Sequence, residues 1–258
     1  MKNNPKITLV GAGPGDPELL TLKGARALRT ADVILYDALI DQRLLHHARP
    51  GLPTIYVGKR AGHHRMPQEQ INQLLVESAR TYGHAVRLKG GDAFVFGRGQ
   101  EEAAYARARG IAVKVIPGIS SCIAVPELQQ VPTTCRGYSE SFWVITGTTR
   151  TGGLSGDIAL AARSTATVIV LMGMKKAAAI AGLFCEQGKG GLPAMAVSKG
   201  STPEEQRVVG TASTLPLLID EAGLERPGLL VFGEVVRLHP HWDYQAIATT
   251  ETALKERA

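Results

Sequence analysis

The stretch Ile7-Thr8-Leu9-Val10-Gly11-Ala12-Gly13-Pro14-Gly15-Asp16 joins a short apolar run to a loop rich in glycine and proline. A run of this length that ends at glycine is typical of a buried strand. A helical pattern follows at Glu18–Arg29. Because a buried strand followed by a helix is the repeating unit of parallel sheets, the stretch predicts an α/β fold.

The same alternation continues through the first half of the chain. We expect further strands at Val33–Tyr36, Thr54–Val57, Ala85–Leu88 and Val113–Ile116. Helices are expected at Gln68–Tyr82 and Gln100–Arg109, since apolar residues recur there with helical spacing. The pattern predicts a mainly parallel sheet with helices on both faces.

A region of small residues, prolines and polar turns at Pro117–Arg136 interrupts this pattern. Beyond it we expect a second set of strands, at Phe142–Ile145, Thr167–Leu171, Ala194–Val197, Arg207–Gly210 and Leu229–Phe232. Helices are expected near Ser155–Ala162, Lys175–Glu186 and Thr214–Glu221. The sequence therefore predicts two α/β domains, at residues 1–125 and 126–243, followed by a polar tail at residues 244–258.

The composition indicates a folded, water-soluble protein. The 258 residues are 44% hydrophobic, which is enough to form a core and excludes wholesale disorder. No apolar run approaches the ~18 residues of a membrane-spanning helix, and the start of the chain leaves no room for a signal peptide. Three widely spaced cysteines argue against a disulfide framework or a structural zinc site. We therefore expect a cytoplasmic protein with no membrane partner.

The net charge of +6 is concentrated in one part of the chain. Between Arg43 and Lys114 there are nine Arg and three Lys against five acidic residues, an excess of seven positive charges. A positive field of this kind attracts nucleic acids, phosphates or polycarboxylates, and a solvated basic face is the alternative. No nucleic-acid-binding motif accompanies the charge, so we expect no nucleic-acid partner.

The glycine loop Gly11–Pro17 does not match a dinucleotide-binding site. That fingerprint requires G-x-G-x-x-G, and here Asp16 occupies the position of the third glycine. Pro14 also removes one backbone N–H from a loop that would have to bind a pyrophosphate. Asp37, at the end of the second strand, resembles the ribose-binding acid of such sites but does not restore the missing glycine.

A second loop cluster follows the fourth strand. Gly90-Gly91-Asp92 exposes backbone groups at a strand end, and Arg98 and Glu101 follow closely. A tight turn would explain the two glycines but not the three charged residues. In parallel sheets ligands bind at the carboxyl ends of the strands, so we predict one site built from five loops. These loops are Gly13–Asp16, Tyr36-Asp37, Gly58-Lys59-Arg60, Gly90–Asp92 and Pro117–Ser121.

Together the loops resemble those of the tetrapyrrole methylase family, in particular its branch that acts on uroporphyrinogen III. The resemblance covers about residues 5–240 and keeps the order of the motifs along the chain. The motifs are Val10–Asp16, Leu35–Asp37, Val57–Gly62, Arg87–Asp92 with Phe94–Gly99, Pro117–Ser121, Val131-Pro132 with Arg136-Gly137, Leu171–Gly173, Gly200-Ser201 and Gln206–Val208. The resemblance implies two α/β domains with the active site in the cleft between them, usually assembled as a homodimer.

The resemblance also implies a reaction and a methyl donor. Members of this branch use S-adenosylmethionine to methylate C2 and C7 of uroporphyrinogen III, which gives precorrin-2 by way of precorrin-1 for sirohaem and cobalamin synthesis. The implied contacts to the donor and its product S-adenosylhomocysteine are Pro14, Gly90, Gly91, Asp92, Val95, Ser120, Ser121, Met172 and Gly200. The implied catalytic residues are Asp37, Lys59, Arg98 and Glu101.

Elementary chemistry agrees with this assignment. Uroporphyrinogen carries eight carboxylates, which the excess positive charge would steer and bind. Methyl transfer to a pyrrole carbon requires alignment and then a base that takes a proton from the macrocycle. Arg98 is a poor base because guanidinium stays protonated, so we assign it to substrate binding and leave the base open. A carboxylate beside Arg98, such as Asp37 or Glu101, is expected to have a lowered pKa.

Several residues have simpler interpretations. Asp37 would also suit the cap of a following helix, Lys59 would suit one more docking charge, and Met172 would suit a core position at a strand end. His63-His64 resembles a metal-binding pair, but no further ligand is near it in the sequence, so we predict no metal site. Cys122 is expected to be buried and inert.

The sequence departs from the family pattern at Ala93, Gln100, Cys135, Tyr138 and Glu140. Ala93 stands where proline is usual, and Cys135 where histidine is usual. If the segment around Cys135 contacts the macrocycle, the acceptor specificity would change. Three functions therefore stay open: methylation of uroporphyrinogen III, methylation of a later precorrin or another acceptor, and a sensor that binds tetrapyrrole or S-adenosylmethionine without catalysis.

Overall fold

The computed structural model describes residues 4–58 and 66–243. The chain divides into two compact units, and the division falls between Ser121 and Cys122. Each unit contains one five-stranded sheet with helices packed on it, which confirms the predicted α/β fold class. Every expected strand is present, with its ends displaced by at most one residue.

The described residues of the N-terminal unit form five strands. They are β1 (Lys6–Gly11), β2 (Val33–Tyr36), β3 (Thr54–Tyr56), β4 (His84–Lys89) and β5 (Ala112–Ile116). Its sheet has the order β3-β2-β4-β1-β5, and all neighbouring pairs are parallel. Because the strands are parallel, the loops that follow them lie at one edge of the sheet.

Among the residues described in this unit, three α-helices and two 3-10 helices accompany the sheet. They are α1 (Leu22–Arg29), α2 (Gln68–Tyr82) and α3 (Gly99–Arg107), with 3-10 turns at Pro17–Leu19 and Gln42–His47. Neighbouring residues of a strand point to opposite faces of the sheet. Leu9 of β1 therefore joins a core with Leu75 of α2, whereas Val10 joins a core with Leu28 of α1. Both faces of the sheet are covered, as expected for a parallel sheet.

The first helix begins at Leu22 rather than at Glu18, which corrects the expected range. The side chain of Asp16 accepts a hydrogen bond from the backbone N–H of Glu18 and caps the single 3-10 turn at Pro17–Leu19. The chain is then extended at Leu20, and the hydroxyl of Thr21 caps the true helix by accepting from the N–H of Gly24. Two successive caps thus divide one continuous apolar pattern.

The C-terminal unit has a mixed sheet. Its strands are β6 (Phe142–Thr146), β7 (Thr167–Leu171), β8 (Pro193–Ser198), β9 (Gln206–Thr211) and β10 (Gly228–Phe232). The order is β6-β7-β10-β8-β9, with β6 and β7 parallel and the other neighbouring pairs antiparallel. Since β10 runs against both of its neighbours, β7 and β8 end at the same edge of the sheet.

Helices α5 (Asp157–Arg163), α6 (Ala177–Cys185) and α7 (Leu215–Glu221) accompany this sheet, with 3-10 turns at Met174–Lys176 and Glu234–Leu238. A further helix, α4 (Ser121–Leu128), begins at the division between the units, and Cys122 in it is buried as expected. Within the described residues, no helix combines the length and the apolar character needed to cross a membrane.

Candidate functional site

The loops after β1 and β4 are bound to each other at the carboxyl edge of the first sheet. The backbone N–H of Gly91 donates to the carbonyl of Gly13 at 2.7 Å, and the N–H of Gly13 donates to the carbonyl of Gly91 at 3.3 Å. Gly91 has a φ of +64°, in the left-handed region that favours glycine. A Cβ placed on Gly91 would have no atom within 4 Å, so the backbone here is open to a ligand. Pro14, which follows Gly13 in the chain, is partly buried.

Asp92 ties the β4 loop to the loop after β5. Its Oδ1 accepts a hydrogen bond from the N–H of Phe94 at 2.8 Å, and its Oδ2 accepts from the N–H of Gly118 at 3.0 Å. Gly118 is packed against the backbone, since a Cβ there would lie 2.4 Å from the carbonyl oxygen of Gly91. Each carboxylate oxygen keeps a second acceptor position, which leaves Asp92 able to bind a hydroxyl or ammonium group.

The loop after β2 completes this edge. A Cβ on Gly90 would lie 2.6 Å from the Cβ of Leu39, so only glycine allows this contact. A Cβ on Gly58, in the loop after β3, would lie 2.7 Å from the backbone nitrogen of Ala38. The structure therefore brings together the described parts of all five loops. Beside them lies an open cavity of about 350 Å³, lined by Tyr36, Asp37, Ala38, Ile40, Gln42 and Tyr56.

Asp37 lies on the wall of this cavity and does not cap a helix, which settles one of its simpler interpretations. Its Oδ1 accepts from the backbone N–H of Leu39 at 3.2 Å and closes a local turn. Its Oδ2 accepts from Nη2 of Arg87 at 3.2 Å. The cation beside Asp37 is thus Arg87 and not Arg98, which corrects the expectation from the sequence.

Arg98 and Glu101 lie at the start of α3 and form an exposed ion pair. Arg98 has a φ of +60° as the residue that precedes the helix, an uncommon conformation for a side chain of this size. Its Nε and Nη2 donate to the two carboxylate oxygens of Glu101 at 2.8 and 2.7 Å. These bonds lower the pKa of Glu101, in the expected direction, and raise the pKa of Arg98. Arg98 therefore stays a cation that can bind carboxylates.

The segment between Asp92 and Arg98 exposes apolar side chains. Phe94, Val95 and Phe96 are each more than a third exposed, although all three are hydrophobic. A Cβ on Gly97 would lie 2.5 Å from the carbonyl oxygen of Ala93, so the glycine allows a tight fold here. Ser120 and Ser121 follow the β5 loop and are partly exposed near the start of α4.

Sequence reasoning assigned no role to Arg87, Lys89 or Glu102, yet all three side chains are almost completely buried. Nε of Arg87 and Nζ of Lys89 donate to Oε1 of Glu102 at 3.3 and 2.9 Å. One feature of the sequence could have indicated their burial. Arg87 and Lys89 alternate with Val86 and Leu88 in a strand that was expected to be covered on both faces. A charge in such a strand must find a partner.

In the C-terminal unit, Met172 follows β7 and Gly200 follows β8, so both lie at the same edge of that sheet. Met172 has a φ of +56° and is 52% exposed, so it does not fill the core. A Cβ on Gly200 would lie 2.6 Å from Cγ1 of Val125, so a larger residue would collide. Lys199 and Ser201, on either side of Gly200, also have positive φ values.

Some expectations fall outside the described residues. Lys59 and the pair His63-His64 lie between Gly58 and Met66, and the tail at residues 244–258 also lies outside. Within residues 4–58 and 66–243, no group of three or more His, Cys, Asp or Glu side chains has the geometry to hold a metal ion. Cys135, the main departure from the family pattern, begins a tight turn that is closed by its backbone pairing with Ser139.

Comparison with known proteins identifies the family. The model for Tetrapyrrole (Corrin/Porphyrin) Methylases matches residues 6–216 of the chain. The chain belongs to the tetrapyrrole methylase family. The resemblance drawn from the loops at the carboxyl edge of the first sheet is thereby confirmed.

Individual relatives in the family are similar over nearly the whole chain. Uroporphyrinogen-III C-methyltransferase of Methanocaldococcus jannaschii is 40% identical over 235 residues, which cover 90% of this chain and 97% of that protein. Siroheme synthase of Chromobacterium violaceum is 42% identical over 233 residues, but the match covers 50% of that protein, so this chain spans about half its length.

A solved structure is similar to the same extent. The uroporphyrin-III C-methyl transferase of Thermus thermophilus in complex with S-adenyl homocysteine is 42% identical and has a TM-score of 0.76. The match covers 90% of this chain and 99% of that chain.

Proposed function

We propose that this tetrapyrrole methylase transfers methyl groups from S-adenosylmethionine to C2 and C7 of uroporphyrinogen III and so produces precorrin-2 by way of precorrin-1. One observation carries the proposal: the chain is 40% identical to a uroporphyrinogen-III C-methyltransferase over 97% of that protein's length. The similarity is not limited to one domain. It therefore favours this acceptor over a later precorrin.

The donor is proposed to bind at the turn formed by Gly90, Gly91 and Asp92. The open space above Gly91 fits a ligand that approaches the backbone, and Asp92 is held in place by two backbone N–H groups. Pro14, Val95, Ser120 and Ser121 lie on the neighbouring loops and are assigned to the same site. Met172 and Gly200 are proposed as further donor contacts because they lie in motifs that resemble those of the family.

S-adenosylmethionine would supply a methyl group on a sulfonium. A pyrrole carbon that attacks this methyl carbon would break its bond to sulfur and release S-adenosylhomocysteine, which requires neither a metal nor a covalent enzyme intermediate. The role of the chain is to align the two reactants, which contributes up to about 7–11 kcal/mol to the lowering of the barrier. Arg98 is proposed to bind the carboxylate arms of the acceptor, because its guanidinium is exposed and permanently charged.

A base must then take a proton from the methylated macrocycle. Asp37 is our first candidate, because its carboxylate borders the cavity of about 350 Å³. Glu101 is the second candidate, although its lowered pKa makes it a weaker base. Lys59, three residues beyond Tyr56 in the sequence, is proposed to act as the acid or as a docking charge.

Methyl incorporation tests this function. The purified chain is incubated anaerobically with uroporphyrinogen III and S-adenosylmethionine, and the products are analysed by mass spectrometry. Two added methyl groups are expected. Tight binding of the donor without methylated product would instead indicate a sensor, and methylation of a later precorrin alone would indicate an altered acceptor.

We also propose that the protein is a cytoplasmic homodimer and that its product serves sirohaem and cobalamin synthesis. Analytical sedimentation measures the oligomeric state.

A further inference from the structure

Four charged side chains form a cluster beneath the carboxyl edge of the first sheet. This cluster, which we call the buried quartet, consists of Asp37, Arg87, Lys89 and Glu102. Arg87 is its centre: Nη2 donates to Oδ2 of Asp37 at 3.2 Å, and Nε donates to Oε1 of Glu102 at 3.3 Å. Two cations and two carboxylates make the quartet electrically neutral. Its only partly exposed member is Asp37, which borders the cavity.

Glu102 holds the inner end of the quartet. Its side chain has 0% exposure, and Oε1 accepts hydrogen bonds from Arg87, from Lys89 and from Nε2 of Gln68. Oε2 is buried and has no hydrogen-bond partner among the described residues. Because Glu102 lies in the first turn of α3, the positive end of the helix also favours its negative charge.

Stability alone gives a poor account of this arrangement. Removing charges from water costs several kcal/mol per ion, and buried ion pairs are often no more stable than apolar side chains of the same volume. Burial and the charge of Arg87 lower the pKa of Lys89, while Glu102 acts in the opposite direction. The surroundings of Lys89 therefore disfavour its positive charge. What the quartet does provide is a fixed position for the Arg87 side chain.

The quartet connects the two groups that we assign to the acceptor. Asp37 directly follows β2, whereas Arg98 directly precedes α3 and Glu101 lies in the first turn of α3 with Glu102. We propose that Glu102 is a positioning residue of the acceptor site. It fixes Arg87 and thereby sets where the Asp37 carboxylate lies relative to the Arg98–Glu101 pair. The acceptor itself is not touched by Glu102. This inference rests on the proposed function.

Three variants test whether Glu102 positions Arg87 or only balances the buried positive charge. Glu102→Gln removes the inner carboxylate, and Lys89→Met with Glu102→Gln removes one charge of each sign, so that Arg87 and Asp37 remain as a neutral pair. The matched control is Asp32→Asn. Asp32 also links β2 to β4, by accepting the N–H of His84 at 2.9 Å, but it does so at the opposite edge of the sheet.

The double variant is expected to fold, because no net charge is left buried. Its kcat for methylation is expected to fall about 10- to 100-fold, because a misplacement of about 1 Å at a reacting group costs up to that much. The Kd for S-adenosylhomocysteine should stay within twofold of that of the unchanged protein. Asp32→Asn should lower the denaturation midpoint but leave kcat unchanged. A double variant with normal kcat would overturn the inference, since charge balance would then be the whole role of Glu102.

A measurement without turnover distinguishes this inference from the proposed function. In the unchanged protein, the Nε–H proton of Arg87 is expected to give a slowly exchanging NMR signal. In the double variant this signal should exchange at least about tenfold faster, because the charge-assisted bond to the Glu102 carboxylate is replaced by a weaker bond to a neutral amide oxygen. An unaltered signal would overturn the inference even if methylation is observed. A protein that shows the expected change but does not methylate uroporphyrinogen III would contradict the proposed function instead.

Discussion

Replacement of Gly91 by alanine gives a sharp test of where the donor binds. At a φ of +64° alanine costs about 1–2 kcal/mol, of which about 0.4–1 kcal/mol is offset because alanine also restricts the unfolded chain. No atom lies within 4 Å of the new methyl group, so there is no clash inside the protein. The free energy of unfolding should therefore fall by only about 1 kcal/mol.

The donor should be affected far more strongly than the fold. If the ligand approaches the backbone of Gly91, the methyl group occupies part of its space, and the Kd for S-adenosylhomocysteine should rise at least about tenfold, or about 1.4 kcal/mol. Titration calorimetry measures this Kd, and urea denaturation measures the change in stability.

Gly110 provides the matched control. It has a φ of +75°, has open space around its missing Cβ, and lies before β5 at the opposite edge of the same sheet. Gly110→Ala should therefore cost the same stability and leave the Kd unchanged. Equal affinities of the two variants for S-adenosylhomocysteine would refute the assignment of Gly91 to the donor site.

Three further predictions follow from the geometry. Arg98→Ala should raise the KM for uroporphyrinogen III at least about tenfold, because the variant loses a charge-assisted contact to the acceptor. The Kd for S-adenosylhomocysteine should not change, because Arg98 is not assigned to the donor. Unchanged steady-state kinetics would show that Arg98 does not bind the acceptor. Gly118→Ala should destabilise the protein by about 3 kcal/mol in urea denaturation, because its methyl group meets the carbonyl oxygen of Gly91 at 2.4 Å; a loss below about 1 kcal/mol would contradict this packing. Burial, together with the charges of Arg207 and His241, lowers the pKa of His239 to about 4. Since an unfolded histidine titrates near pH 6.5, the unfolded chain binds more protons between about pH 6.5 and 4, and stability should fall by up to about 3 kcal/mol on acidification through that range. His239→Gln should flatten this part of the pH profile of urea denaturation, and an unchanged slope would count against the assignment.

The strands could be predicted because their apolar runs are short and end at glycine or polar residues. The runs in β1 and β4 lie in the middle of a parallel sheet, where both faces are covered, so their sequences carry an unmistakable signal. These apolar runs do not show whether neighbouring strands are parallel or antiparallel. The antiparallel position of β10 between β7 and β8 in the second sheet therefore had no counterpart in the sequence pattern.

The candidate site was predictable to the extent that it depends on loop position. Parallel strands bring the loops that follow them to one edge, so Gly91, Asp92 and Gly118 could be placed near each other from their order in the chain. The pairing of Arg87 with Asp37 and Glu102 was not predictable. It depends on which face of β4 each side chain takes and on how α3 packs, and these are set by tertiary contacts.

A crystal structure of the chain with S-adenosylhomocysteine would show whether the donor binds at the turn formed by Gly90, Gly91 and Asp92. We expect the ligand to contact the backbone of Gly90 and Gly91 and to lie within hydrogen-bond distance of Asp92 at the carboxyl edge of the first sheet. A ligand bound elsewhere, with the space above Gly91 empty, would contradict it.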